Sequence, residues 1–301
     1  MSVTELIIGS RGSQLALWQA HWVKAKLEEL GHVCRIEIIK TTGDRVTEMA
    51  LPDTGTKGLF TKEIEEALLE RRVDLAVHSL KDLPTELPDP SLQLAAIPAR
   101  EDPFDAMVGR RLNELPQGAR VGTSSPRRAA QLRHARPDLL VESVRGNVDT
   151  RLRKLDEGQF AAIVLASAGL RRLGWASRIA ESFAPEVMCP AVGQGALAIE
   201  AISEGAGAEA CAALDHTETR LAVQAERAVL RALGGGCKVP IGAYARMEEG
   251  SLRIMAVVIS PDGATLIRDS EAGAATDADA LGRSLAAKLL ERGAGEILKR
   301  L

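Results

Sequence analysis

Short apolar runs alternate with longer amphipathic stretches over the first third of the chain. Runs of this length are typical of strands, and apolar residues at helical spacing are typical of helices. The predicted elements are strands at 6–9, 33–39, 75–77 and 92–97 and helices at 14–30 and 60–70. Within the first helix, Leu15, Trp18, Trp22 and Ala25 are predicted to share the apolar face. This βαβ rhythm predicts an α/β lobe with a mainly parallel sheet.

A proline-flanked segment at 98–103 interrupts the rhythm, and a second series follows. Its predicted strands lie at 106–108, 120–122, 139–144 and 162–166, with helices beginning near 126, 148 and 168 and a further apolar strand at 196–201. The C-terminal part changes pattern, with a helix at 217–233, strands at 241–246, 252–259 and 265–269, and a helix at 277–292. We therefore predict an α/β protein of two βαβ-type lobes plus a small C-terminal α+β domain with a three-stranded antiparallel sheet. The expected domains are 1–98 with 195–215, 99–194, and 216–301.

Polar segments follow five of the predicted strands of the two lobes. They lie at 9–13, 78–82, 123–128, 145–147 and 167–172. Open α/β sheets bind ligands outside the carboxyl ends of their strands. These segments are therefore expected to converge on one crevice between the lobes.

The segment 41–58 has little apolar periodicity and contains Gly43, Pro52, Gly55 and Gly58. It is predicted to be a loop of eighteen residues that begins at the same sheet edge as the crevice. A loop of this length in a compact domain is often a lid over a site or a disordered stretch. We expect it to be mobile without substrate and to shield the site from water.

Arginines are concentrated between Arg120 and Arg153, where eight of them stand against three acidic residues. Ser125 is predicted to cap a helix whose first residue is Pro126, and free N–H groups there would attract an anion. Arginines at strand ends are candidates for gripping carboxylates or phosphates. Arg133, Arg136 and Arg153 are interpreted instead as solvated helix residues paired with acidic neighbours.

Composition narrows the class of ligand that the chain is expected to bind. The 301-residue chain carries a formal charge of −3 and eight aromatic residues, which disfavours nucleic acid and favours a small polyanion. No signal peptide or membrane span is expected, and four scattered cysteines suggest neither disulfides nor a metal site. The protein is predicted to be cytoplasmic, with reduced thiols.

Two residues are candidates for chemistry. Cys237 lies in Gly-Gly-Gly-Cys-Lys, where glycines expose the side chain and Lys238 favours the thiolate, so a covalent role and a buried thiol both stay open. Asp82 is an acid at a strand end in a region otherwise rich in cations, and an ion pair with Lys81 or a helix cap is the alternative. Cys34, Cys189 and Cys211 are expected to be buried thiols.

Seven ordered segments then resemble one family over essentially the full chain. They are Gly-Ser-Arg-Gly-Ser-Gln-Leu-Ala-Leu-Trp-Gln-Ala at 9–20, Lys-Gly-Leu-Phe-Thr-Lys-Glu at 57–63, Ala-Val-His-Ser-Leu-Lys-Asp-Leu-Pro at 76–84, Val-Gly-Thr-Ser-Ser-Pro-Arg-Arg at 121–128, Arg-Gly-Asn-Val-Asp-Thr-Arg-Leu at 145–152, Pro-Ala-Val-Gly-Gln-Gly-Ala at 190–196 and Gly-Gly-Cys-Lys-Val-Pro at 235–240. The family is porphobilinogen deaminase, also called hydroxymethylbilane synthase. Two lobes around a basic crevice are also typical of solute-binding proteins for organic anions, but a third domain bearing Cys237 is not.

The resemblance implies a transferase of tetrapyrrole, porphyrin and haem biosynthesis. Four porphobilinogen molecules would be deaminated and joined head to tail on a dipyrromethane cofactor, and hydroxymethylbilane would be released by hydrolysis. Cofactor and product together carry about twelve carboxylates, which the arginines would bind. The expected partner is this small substrate, with no nucleic acid and no membrane, and the family expectation is a monomer.

The resemblance also implies residue roles. Asp82 matches the carboxylate that stabilises positive charge on the pyrrole nitrogen and moves protons. The expected cofactor-binding residues are Cys237 (through a thioether), Ser13, Lys81, Asp82, Thr123, Ser125, Arg127, Arg128, Arg145 and Gly146, and no metal is expected. The expected substrate-binding residues are Arg11, Lys57, Arg151, Arg172 and Gln194. Asp53 stands where many relatives have a second lysine, so Lys57 alone is carried over from that loop.

Overall fold

The structure, a computed structural model, describes residues 5–46, 60–235 and 239–300, with the backbone alone at 45 and 46. The strands are β1 (Glu5–Ser10), β2 (Val33–Ile38), β3 (Leu75–Ser79), β4 (Leu92–Ala96), β5 (Asp105–Val108), β6 (Arg120–Gly122), β7 (Leu140–Glu142), β8 (Ala162–Ala166), β9 (Ile179–Ser182), β10 (Leu197–Ile202), β11 (Ile241–Glu248), β12 (Ser251–Ile259) and β13 (Leu266–Gly273). The helices are α1 (Gln14–Glu29), α2 (Thr42–Val46), α3 (Lys62–Leu69), α4 (Pro126–Ala135), α5 (Val148–Asp156), α6 (Ser167–Arg172), α7 (Ala206–Cys211), α8 (Thr217–Ala232), α9 (Ala278–Glu291) and α10 (Ala294–Leu298).

One compact unit is formed by residues 1–100 and 196–217. Its five-stranded sheet has the order β2-β1-β3-β10-β4, in which β1 is parallel to both β2 and β3. The strand β10 is antiparallel to its neighbours β3 and β4. The predicted mainly parallel sheet is thus confirmed, with one reversed strand supplied by a distant part of the chain.

The helix α1 packs a face of small residues on this sheet. Its Ser13 cap accepts a hydrogen bond from the Ala16 amide at 3.3 Å, and Ala16, Ala20, Val23 and Leu27 are buried. The predicted apolar face is wrong, because Leu15, Trp18 and Trp22 are only half-buried and Ala25 is exposed. Trp22 packs against the core that contains Ala20, Val23 and Leu27, but only as a partly buried side chain.

The second compact unit is formed by residues 101–195 and 218–301 and contains two sheets. The first has the order β7-β6-β8-β5-β9, with β6 parallel to β7 and β8 and with β5 antiparallel to β8 and β9. The strand β9 is missing from the sequence prediction because its Ile-Ala-Glu-Ser sequence forms a short, half-buried edge strand.

The C-terminal sheet is antiparallel in the order β11-β12-β13, as predicted. The buried face of α8 carries Ala222, Ala225 and Val229, and that of α9 carries Leu281, Leu285 and Leu289; both belong to one core with β11 and β12. Among the described residues, this core is built almost entirely from the C-terminal part, with Val192 added from the preceding segment.

The prediction of a continuous loop at 41–58 is wrong at its start, because Thr42–Val46 forms the short helix α2. Five residues are too few for apolar periodicity to indicate a helix. One of its tertiary contacts is with Glu63 of α3, whose carboxylate accepts hydrogen bonds from the Thr42 amide and hydroxyl. Residues 47–59, and with them Asp53 and Lys57, lie outside the described residues. Within the described ranges, no helix has both the length and the apolar character needed to cross a lipid bilayer.

Candidate functional site

Three neighbouring parallel strands bring predicted site residues to one edge of the first sheet. The strands β2, β1 and β3 lie side by side, so their carboxyl ends meet at the same edge. Arg11 and Ser13 follow β1, and Lys81 and Asp82 follow β3 in a short 3-10 helix, Leu80–Asp82. The structure therefore assembles these four predicted residues into one group.

Asp82 is exposed at this edge and makes no hydrogen bond or ion pair with another described residue. Its backbone is held in place, because the amide of Leu80 donates to the carbonyl of Ala196 at 3.0 Å and the amide of Leu83 donates to that of Leu80. Within the described residues, the Asp82 carboxylate therefore does not cap a helix, which was one of the predicted alternatives. Because its backbone is held in place and its carboxylate is exposed, Asp82 can contact a bound ligand.

Arg11 is engaged within the protein. Its Nε and Nη2 donate to Oδ1 of Asp44 at 3.1 and 2.5 Å, and its guanidinium carbon lies 4.1 Å from the centre of the Phe60 ring. Thr41 binds the other oxygen of Asp44 through its hydroxyl at 2.8 Å. The predicted ligand-binding arginine thus already contacts a carboxylate.

The second unit has an equivalent edge. Its parallel strands β7, β6 and β8 end together, followed respectively by the segments at 145–147, 123–128 and 167–172. Ser125 caps α4 by accepting a hydrogen bond from the Arg128 amide at 3.4 Å, and Pro126 is the first helical residue, as predicted. Thr123 is buried, and its hydroxyl accepts a hydrogen bond from the Ser125 amide.

Arg127 and Arg128 are buried and share one carboxylate. Nη1 of Arg127 donates to Oδ2 of Asp105 at 2.7 Å, and Nε of Arg128 donates to Oδ1 at 2.8 Å. Asp105 is fully buried at the start of β5. Gln194 completes the cluster. Its Nε2 donates to Oδ1 of Asp105 at 2.9 Å, the oxygen that also accepts from Arg128, and to the carbonyl of Pro103.

Complete burial by itself raises the pKa of Asp105. The charges of Arg127 and Arg128, together with hydrogen bonds from Arg127 and Gln194, outweigh burial and hold that pKa well below its usual range. Two cations and one anion leave this buried cluster with a net positive charge. Such a cluster favours an approaching carboxylate.

We expect the Asp105→Asn variant to unfold roughly 6–15 °C below the parent protein near neutral pH, because two buried guanidinium groups lose their countercharge. A carboxyl whose folded pKa is depressed stabilises the fold above its unfolded pKa of about 4, and this contribution is lost as pH falls through the folded pKa. The difference between the two proteins should therefore shrink below about pH 4.

Thermal unfolding followed by circular dichroism between about pH 3 and pH 8 measures this difference. Asp138→Asn is the matched control, since it removes a partly exposed pair with Arg136 and should shift the midpoint little. A midpoint difference for Asp105→Asn that stays constant over this pH range would contradict the assigned charge state.

The remaining predicted residues of this edge differ in exposure. Nη2 of Arg172 donates to the carbonyl of Gly195 at 2.7 Å, and burial lowers the pKa of Arg172 to about 10, partly offset by the charge of Glu101. Arg151 is half-buried, and its Nε donates to the carbonyl of Gly146 at 2.7 Å. Arg145 is exposed.

Gly146 has a φ of +112°, and a Cβ there would lie 2.8 Å from Thr150 Cγ2. A side chain at this position would strain the backbone and contact Thr150, so the turn requires glycine.

The arginines interpreted as helix-surface residues are only partly so. Arg153 pairs with Glu157 at 3.8 Å, as predicted. Arg136 makes its predicted acidic pair with Asp138 at 2.7 Å, but it also donates to the carbonyls of Leu112 and Leu115. The interpretation is wrong for Arg133, whose Nη1 donates to the carbonyl of Pro261 at 2.8 Å. It is wrong because a turn from the C-terminal sheet, distant in sequence, packs against α4.

Three cysteines are buried free thiols, as predicted: Cys34, Cys189 and Cys211. Burial raises the pKa of both Cys189 and Cys211 to about 12, so neither forms a thiolate near neutral pH. Cys237 lies outside the described residues.

Two acidic residues of these edges were missed by the sequence analysis. Asp105 is 22 residues from Arg127, and Asp44 is 33 residues from Arg11. In sequence, Asp105 stands just before a short apolar run and Asp44 stands after one, which is also true of many surface aspartates. Structure alone shows that both contact predicted ligand-binding arginines.

Two family models match the chain. The description "Porphobilinogen deaminase, dipyromethane cofactor binding domain" matches residues 6–209, and "Porphobilinogen deaminase, C-terminal domain" matches residues 220–291. The chain is 55% identical over 306 residues to the porphobilinogen deaminase of Desulforudis audaxviator, with 99% of this chain and 98% of that one covered. It is 50% identical over 304 residues to that of Pelobacter propionicus, with the same coverages. Among solved structures it is similar to the methionine-binding protein MetQ, with a TM-score of 0.44 and 13% identity over 70% of this chain and 89% of that one.

Proposed function

Since the chain belongs to the porphobilinogen deaminase family, we propose that it is a transferase that deaminates four porphobilinogen molecules and joins them head to tail. The product would be hydroxymethylbilane, released by hydrolysis for tetrapyrrole synthesis. The observation that supports this proposal best is the buried cluster of Arg127 and Arg128 on the single carboxylate of Asp105. Its net positive charge suits a ligand whose pyrroles each carry two carboxylates.

The residues of the second unit fit the dipyrromethane cofactor that the family model names. The capped start of α4 and the guanidinium groups of Arg127, Arg128 and Arg145 offer charge-assisted donors to its acetate and propionate groups. We propose that these residues, together with Ser13, Lys81, Thr123, Ser125 and Gly146, hold the cofactor and that Cys237 carries it through a thioether. When bound, dipyrromethane supplies the free pyrrole carbon to which the first substrate unit is joined.

Asp82 is proposed as the catalytic residue. Its exposed carboxylate stands on a backbone held by the hydrogen bonds of Leu80 and Leu83. A carboxylate carried on such a backbone can stabilise positive charge on a pyrrole nitrogen, and it can accept the proton of that nitrogen and return it as ammonia leaves. Charge stabilisation and proton transfer are therefore both assigned to Asp82.

We assign the binding of the substrate's carboxylates to a second set of cationic residues. Arg11, Lys57, Arg151 and Arg172 are proposed to bind them, with Gln194 close to the cofactor residues. Arg172 keeps its charge at neutral pH because its pKa stays near 10 despite burial. Binding the acetate and propionate groups at several points would orient each incoming pyrrole for the next bond.

We further propose that the protein works as a monomer in the cytoplasm and divides into three domains, 1–98 with 195–215, 99–194, and 216–301. The free thiols of Cys34, Cys189 and Cys211 suit a reducing compartment. The separate apolar core of the C-terminal sheet supports the third domain.

The purified protein mixed with porphobilinogen tests this function directly. We expect consumption of porphobilinogen, release of one ammonia for each molecule consumed, and appearance of hydroxymethylbilane, which oxidises to a coloured porphyrin after cyclisation. Colorimetric substrate and ammonia assays follow the reaction. Binding of porphobilinogen without ammonia release would instead support a solute-binding protein.

A further inference from the structure

The carboxylate of Asp44 lies at the sheet edge where substrate binding is proposed. It belongs to α2, which follows β2, and β2 is the parallel neighbour of β1, which leads into Arg11. Asp44 therefore comes from the same edge as Arg11 and Asp82, although it lies in a different segment of the chain. Its contact with Arg11 is a tertiary one.

The two oxygens of Asp44 have different partners. Oδ1 accepts both hydrogen bonds from Arg11, whereas Oδ2 accepts from the hydroxyl and amide of Thr41 at 2.8 and 3.3 Å. Thr41 is fully buried, so its hydroxyl fixes the orientation of the carboxylate. Asp44 thus presents one oxygen to the guanidinium in the way that a ligand carboxylate would.

The ion pair between Arg11 and Asp44 is accessible to solvent, with 19% of the Arg11 side chain and 27% of the Asp44 side chain exposed. A partly exposed ion pair is weak, and one carboxylate can exchange for another on a guanidinium without leaving a buried charge unpaired. The Phe60 ring under the guanidinium contributes a second contact that does not depend on Asp44. Arg11 can therefore change its carboxylate partner and keep its position.

We propose that Asp44 is a resident carboxylate that competes with porphobilinogen for Arg11, so that Asp44 lowers the affinity of the enzyme for its substrate. This inference rests on the proposed role of Arg11 in binding substrate. It adds a residue that determines substrate affinity at that same site. The carboxylate of each incoming pyrrole displaces Asp44 from the guanidinium, and Asp44 returns when the ligand leaves.

Partial burial raises the pKa of Asp44, but hydrogen bonds from Arg11 and Thr41 and the charge of Arg11 outweigh it and lower the pKa. The carboxylate therefore stays ionised throughout the neutral range, and the competition should not vary with pH there.

The test is the Asp44→Asn variant, assayed as the cofactor-loaded enzyme. Asparagine keeps an oxygen for Thr41 but loses the charge that holds Arg11. We expect the KM for porphobilinogen to fall by about two- to fivefold, the size of effect expected from releasing one partly exposed ion pair. Asp44→Glu, which keeps the charge, should stay closer to the parent KM.

A second measurement needs only the first addition step and not a complete turnover. After brief exposure to a series of porphobilinogen concentrations in excess over enzyme, intact mass spectrometry counts the enzyme molecules that have added one pyrrole. Asp44→Asn should reach half-maximal capture at a substrate concentration lower than the parent by a similar factor. Asp138→Asn, which removes a carboxylate of similar exposure from Arg136, should change neither value.

An Arg11→Leu background distinguishes failure of the Asp44 competition from failure of the proposed role of Arg11. If Arg11→Leu raises KM, and Asp44→Asn has no further effect in that background, the competition is supported. If Arg11→Leu raises KM but Asp44→Asn alone leaves KM unchanged or raises it, Asp44 does not compete and the inference is overturned while the role of Arg11 stands. If Arg11→Leu leaves KM unchanged, the proposed role of Arg11 fails, and the inference fails with it.

Discussion

Replacing Asp82 by asparagine should leave porphobilinogen binding close to normal and reduce turnover by about 10²–10³-fold or more. The lower bound is the typical cost of removing one preorganised group that stabilises charge in the transition state, and loss of proton transfer adds to it. Asp82 is exposed and has no partner among the described residues, so its removal should not disturb folding. Asp82→Glu should retain more activity, because the carboxylate survives in a shifted position.

Turnover at saturating porphobilinogen, together with rapid-quench measurement of ammonia release, tests this expectation. Glu86→Gln is the matched control, since it neutralises another exposed carboxylate four residues further along and should keep the parent rate. Parent turnover in Asp82→Asn would remove the catalytic assignment.

Replacing Cys237 by serine should abolish both cofactor attachment and turnover. The denatured parent protein is expected to be heavier than its sequence by two linked pyrroles, and Cys237→Ser should have the mass of the sequence alone. A serine hydroxyl has the same shape but is a far weaker nucleophile than a thiolate. Cys34, Cys189 and Cys211 should not substitute for it, because all three are buried and burial raises the pKa of each thiol.

Intact mass spectrometry measures the added mass, and peptide mapping should place it within residues 231–246. Cys34→Ala serves as the control, because it removes a different thiol and should keep the added mass. An active parent enzyme without added mass, or an adduct on another cysteine, would refute the attachment to Cys237.

Local signals determined the secondary structure and the position of most site residues in it. The cap at Ser125 was predicted from sequence and is present, because a cap hydrogen bond is made within three residues of its origin. Asp82 and Arg145 were placed after strands by the apolar runs that precede them. Parallel neighbours then bring such strand ends to one edge, so the candidate groups could be assembled from pattern alone.

Hydrophobic periodicity gave a wrong prediction at two helices, α2 and α1. The helix α2 spans five residues, less than two turns, and was predicted as loop. On α1 the predicted apolar face included Trp18 and Trp22, whereas the fully buried apolar residues are Ala16, Ala20, Val23 and Leu27. Side-chain size decides how closely a helix approaches a sheet, and hydrophobicity alone does not report it.

By itself the sequence determined the α/β lobes, the antiparallel C-terminal sheet, the strand-end location of the cations and the family. Tertiary structure alone decided which acids meet those cations: Asp105 binds Arg127 and Arg128, and Asp44 binds Arg11. It also decided that β10 enters the first sheet antiparallel to β3. These contacts join positions tens of residues apart, and they form because packing of the intervening chain closes the distance. No local propensity encodes such a pairing, whereas strands, helices and caps depend on neighbours only a few residues away.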